Sequence, residues 1–77
     1  MMEEILQILS EIRPEFDFMK SSNFIEDGLL DSFDIVTLVS SLDRKYSISI
    51  DGVDILPENF FNLESIESLL FKYGVKI

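Results

Sequence analysis

The stretch Asp31-Ser32-Phe33-Asp34-Ile35-Val36-Thr37-Leu38-Val39-Ser40-Ser41-Leu42-Asp43-Arg44-Lys45-Tyr46 decides the fold. Ile35, Leu38, Val39, Leu42 and Tyr46 recur at helical spacing and share one face, while Phe33 and Val36 lie off it. Asp31 and Ser32 are both good N-cap residues, and Asp31 with Asp34 three positions on approximates a capping box. Arg44 and Lys45 fall in the last turn, where cations suit the helix dipole. A helix over Ser32–Tyr46 follows.

Upstream, Ile5, Ile8, Leu9 and Ile12 stand at i, i+3, i+4 and i+7, the face of a first helix over Met2–Arg13. Glu3 and Glu4 favour its N-terminus, and Pro14 stops it by pushing Arg13 out of helical space. Between the two helices, Glu15 to Asp31 shows no sustained period. It holds turn formers at Ser21-Ser22-Asn23 and Asp27-Gly28, yet it also carries Phe16, Phe18, Phe24, Ile25, Leu29 and Leu30. So apolar a loop must pack back onto the helices, and a long ordered loop tends to be functional.

Downstream, Ser47-Ile48-Ser49-Ile50 alternates like a strand, but no second strand-like segment offers a partner, so it reads as an extended connection. Pro57 opens a short helix or turn through Asn59 and Phe60. Asn62 caps a last helix with Ile66, Leu69, Leu70 and Tyr73 on one face, and Gly74 stops it. The expected fold is all-α, a single domain over 1–77. It is a small bundle of three main helices plus one short one, with the long ordered loop between the first two helices.

Composition bounds the function. Thirty-one of the 77 residues are Ile, Leu, Val or Phe, well above the ~20% at which chains fail to fold. There is no cysteine and no histidine, which removes thiolate chemistry, disulfides and the usual neutral-pH base. Paired carboxylates such as Asp27 with Asp31, or Asp51 with Asp54, read as a solvated face. Neither Gly28 nor Gly52 sits in a register that gives a calcium loop its ligands. The net charge of −9 disfavours nucleic acid and anionic membrane and favours basic protein surfaces. No apolar run approaches the ~20 residues of a membrane span. Acids stand at the N-terminus where a signal peptide carries bases, so a cytoplasmic, monomeric protein is expected.

Glu26-Asp27-Gly28-Leu29-Leu30-Asp31-Ser32-Phe33 resembles the attachment motif of acyl carrier proteins and the related peptidyl carrier domains. That motif has an acid or polar residue, Gly, two aliphatics, then Asp-Ser and a large apolar residue. It lies here at the end of the long loop and the start of the second helix, as it does in that family. The length, the acidic balance, the helix–long loop–helix order and Glu58–Ile66 at the entry to the last helix are also similar.

The resemblance implies that Ser32 carries a covalent phosphopantetheine arm, whose terminal thiol holds an acyl or aminoacyl group as a thioester. It implies that Asp31 helps present the serine and a divalent ion to a phosphopantetheinyl transferase. Gly28 would adopt a backbone conformation that a side chain hinders. Leu29 and Leu30 would anchor the loop, and Phe33 and Val36 would meet partner enzymes. The protein would be a carrier without catalytic activity of its own. Its partners would be the transferase and the loading, transferring and synthase enzymes.

The physics adds an expectation, that a phosphodiester on Ser32 meets unpaired N–H groups at the helix N-terminus. The middle of the second helix, Thr37, Ser40 and Ser41 with Asp34 and Asp43 as its acids, departs from the strongly acidic helix usual in fatty-acid synthesis. Polyketide, nonribosomal-peptide and aminoacyl-transfer pathways, with an aminoacyl or peptidyl carrier, therefore stay open. So does an unmodified acidic helical interaction module.

Overall fold

The computed structural model describes residues 2–75. Three α-helices carry the fold: α1 Met2–Ile12, α2 Ser32–Tyr46 and α3 Leu63–Lys72. The described residues contain no β-strand. They share one core, while residues 1, 76 and 77 of the expected domain lie outside them.

Each helix buries the face that its period marks. Ile5, Ile8 and Leu9 of α1, Ile35, Leu38, Val39 and Leu42 of α2, and Ile66, Leu69 and Leu70 of α3 are all buried. Ile12 and Tyr46 pack partly buried at the edge. α1 packs against both α2 and α3. It runs antiparallel to α2: Glu4 near its start pairs with Lys45 at the end of α2, and Arg13 just past its end reaches Asp34 in the first turn of α2.

The long loop supplies core of its own. Phe18, Phe24 and Leu30 are buried, and the rings of Phe18 and Phe24 meet edge-to-face at 5.1 Å. Such a contact adds to the area that the two rings already bury. Phe16, by contrast, stays exposed. The loop is tied across the molecule by Phe24 N–H donating to Phe61 O at 2.6 Å.

Three corrections apply. α1 ends at Ile12 rather than Arg13, although Arg13 N–H still donates to Leu9 O at 2.9 Å. α3 ends at Lys72, and Tyr73 is its C-cap. One short helix was expected, and three 3₁₀ turns form: Phe18–Lys20, Gly52–Asp54 and Pro57–Phe60. The first two are opened by Asp17 and Asp51, whose carboxylates accept the N–H two residues on. These local side-chain bonds carry no periodicity, so the hydrophobic pattern is silent about them.

Of the expected connection Ser47–Ile50, residues 48–50 form no helix or strand, and Ile50 is buried with its N–H held by Asp43 Oδ1 at 3.0 Å. α2 stops at Ser47, which takes the left-handed conformation (φ 54°), where glycine is the usual choice. Asn62 Oδ1 accepts Ser65 N–H at 2.8 Å and opens α3. Gly74, at φ 82°, closes it.

Candidate functional site

The candidate site is built where the long loop turns into α2. Asn23 Oδ1 accepts the N–H groups of Ile25 and Glu26 at 3.1 and 2.9 Å, which starts a turn over 24–28. Gly28 completes it at φ 78°, in the left-handed region. No atom lies within 4 Å of where its Cβ would stand, so conformation and not space favours glycine there. Leu29 and Leu30 N–H groups both return to Phe24 O, at 2.9 and 3.0 Å. Leu30 is buried and Leu29 packs partly buried against the core. The turn and these two anchors fix the chain just before Asp31.

At α2 the capping box is complete. Asp31 Oδ1 accepts Asp34 N–H at 2.9 Å, and Asp34 Oδ2 accepts Asp31 N–H at 3.1 Å. Asp31 alone is therefore the N-cap, although the sequence permits Ser32 as well. Ser32 is the first helical residue, exposed, with its neighbour performing the capping. The Asp34 N–H bond holds the Asp31 carboxyl below its usual range; desolvation opposes this and the Arg13 charge adds to it.

The capping box spends the Asp34 N–H on Asp31, and the Ile35 N–H goes to Asp31 O, so neither of these N-terminal donors is open to a group on Ser32.

Phe33 and Val36 flank Ser32 on the outer side of α2 and are 82% and 59% exposed. The sequence places them off the core stripe, and there they are. A cleft of about 450 Å³ between α1 and α2 is lined by Glu4, Gln7, Ile8, Ser41, Arg44 and Lys45, among others. A second, of about 350 Å³, lies between the long loop and the start of α3. Ser32 lines neither and is exposed.

Arg13 belongs to this neighbourhood and the sequence reading misses it. Its Nε donates to Asp34 Oδ2 at 2.9 Å, and its Nη2 and Nη1 reach Asp31 Oδ2 at 3.5 Å and Glu15 Oε2 at 3.4 Å. The hydrogen bond and charge of Asp34 push the Arg13 guanidinium further up. The signal that could have found it is a lone cation just before Pro14, ending a helix on an acidic chain.

A second polar cluster lies elsewhere. Asp54 accepts from Lys72 Nζ at 2.7 Å and from the Tyr73 hydroxyl, which itself accepts Asp51 N–H at 2.9 Å. This ties the 3₁₀ turn Gly52–Asp54 to the end of α3. The two acids that the sequence pairs, Asp51 and Asp54, thus have separate structural duties.

Among the described residues, no group of three or more acids is arranged to hold a metal ion, and no helix is long and apolar enough to cross a membrane. No protein-family model, no curated protein and no solved structure matches this chain.

Proposed function

We propose that the protein is an acyl carrier protein in which Ser32 bears a phosphopantetheine arm. The observation that carries this reading is the division of labour at α2: Asp31 caps the helix, so Ser32 is left exposed without a capping role. A serine at the first helical position that serves only the helix could as well be another residue. Followed by an exposed Phe33 and preceded by the Gly28 turn and the Leu30 anchor, it supports a presented modification site.

In the modification, the bond from Ser32 Oγ to phosphorus forms as the P–O bond to the leaving adenosine 3′,5′-bisphosphate of coenzyme A breaks. The serine proton passes to a base of the phosphopantetheinyl transferase. Once attached, the arm supplies the thiol that carries acyl groups as thioesters. The chain contributes placement: Asp31 holds the first turn through the Asp34 N–H, while its Oδ2 lies 3.5 Å from Arg13 Nη2. Catalysis belongs to the partners, which work in the cytoplasm and meet the protein through Phe33, Val36 and its acidic surface.

The exposed polar residues Thr37 and Ser40 of α2 favour a pathway other than bulk fatty-acid synthesis, an aminoacyl or peptidyl carrier included. The exposed Phe33 and Val36 would equally serve an unmodified interaction module. Co-expression with a broad-specificity transferase separates the two classes by intact mass. A carrier gains the mass of a single arm; a chain that stays unmodified is an interaction module.

A further inference from the structure

Arg13 sits where α1 meets Pro14, and all three of its guanidinium nitrogens face acids: Asp34, Asp31 and Glu15. The shortest of these contacts, 2.9 Å, is to Asp34, which is 8% exposed. One oxygen of that carboxylate, Oδ2, accepts both Arg13 Nε at 2.9 Å and the N–H of Asp31 at 3.1 Å. The end of α1 is thereby joined to the backbone of the residue that precedes Ser32. Glu15 lies beside Arg13 on the far side of the proline.

A planar guanidinium suits this task because it offers several donors in a fixed fork, whereas an ammonium is a point charge. Removing it would leave the nearly buried Asp34 carboxylate without its cation, next to Asp31. An uncompensated charge in such a place is costly, and the carboxylate would move outward to find water. The Asp31–Asp34 exchange would loosen with it, and so would the backbone at Ser32.

We infer that Arg13 is a positioning residue for the modification of Ser32: it clamps Asp34 so that the first turn of α2 presents the serine hydroxyl in one orientation. The inference rests on the carrier reading above. Arg13 acts through Asp34 and Asp31 and does not itself touch the reacting oxygen.

The test uses the full chain, a broad-specificity transferase, coenzyme A and magnesium, with rates read well below the melting midpoint of each variant. Arg13→Gln slows arm addition by about tenfold, within the range that small misplacements of a reacting group produce. The loss falls on kcat more than on KM, because Phe33 and Val36 remain in place. Amide hydrogen exchange at Asp34 quickens in the same variant. Lys45→Gln removes one cation at the far end of α2 and keeps the wild-type rate, which separates the clamp from net charge. Should Arg13→Gln be unfolded, Arg13→Lys replaces it; this variant keeps the charge, loses the fork and is also slowed.

A folded Arg13 variant modified at the wild-type rate overturns this inference and leaves the carrier reading standing. So does a Lys45→Gln variant slowed as much as Arg13→Gln. A wild-type chain that accepts no arm overturns both.

Discussion

Asp31 and Asp34 hold each other across the first turn of α2, each carboxylate accepting the other's backbone N–H, at 2.9 and 3.1 Å. Ser32 lies between them and takes no part. Asp31→Ala therefore lowers the melting temperature by several degrees, because an orphan donor of the first turn loses its partner. Ser32→Ala changes stability by less than about 0.5 kcal/mol, as surface substitutions do. Thermal melts followed by circular dichroism compare the two. A serine variant as unstable as the aspartate variant would make Ser32 structural.

Phe33 and Val36 are exposed while Leu38 and Leu42 on the same helix are fully buried. Phe33→Ser and Val36→Ser leave the melting temperature near wild type and weaken transfer with the cognate enzyme. Leu38→Ala and Leu42→Ala each cost about 2–5 kcal/mol, a large share of the stability of so small a domain. Four melts decide the point. Serine variants that unfold like the leucine variants would place those two side chains in the core.

Gly28 and Gly52 both have open space where a Cβ would stand, but only Gly28 has a positive φ, 78°. Gly28→Ala costs about 1–2 kcal/mol for the left-handed conformation. Gly52→Ala is neutral, or stabilises by up to about 1 kcal/mol through the unfolded chain. Urea midpoints of the pair measure the difference, and equal midpoints would show that conformation does not decide.

The hydrogen bonds from Lys72 and Tyr73 hold the Asp54 carboxyl below its usual range, and the Asp54 partnership raises both Lys72 and Tyr73. A depressed folded-state value means stability that is present above the unfolded aspartate value of about 3.9 and lost as pH falls through the folded one. The raised values of Lys72 and Tyr73 act oppositely: their contribution is lost as pH climbs past about 10. The melting-temperature gap between wild type and Asp54→Asn is thus widest near neutral pH and closes in acid. Comparing the two chains cancels the change in overall repulsion as the other acids titrate. A gap that stays constant down to acid pH would mean that the ion pair adds nothing.

The three helices were legible because each carries an uninterrupted apolar stripe and a recognisable stop: Pro14, Gly74, or the cationic last turn of α2. The turn at Gly28 and the outward placing of Phe33 and Val36 were legible for local reasons, through turn chemistry and departure from the stripe, whereas Asp31 and Ser32 stood out as site candidates through the resemblance of Glu26–Phe33 to the carrier motif. Arg13 was not, because its contacts with Asp34 and Asp31 span 21 and 18 residues of sequence and exist only once α1 and α2 pack. The left-handed Ser47 was hidden too, since a serine gives none of the signal that a glycine would. The choice between Asp31 and Ser32 as cap also needed the structure, because both residue types cap well.

Peptide-level mass spectrometry after incubation with transferase and coenzyme A asks whether Ser32 bears the arm. The wild-type chain gains the mass of one phosphopantetheine arm, fragmentation places it on Ser32, and the other serines, none of which follows an aspartate, stay unmodified. Folded Ser32→Ala gains nothing. A wild-type chain that remains unmodified, or an alanine variant that still acquires the arm, rules Ser32 out as the carrier serine.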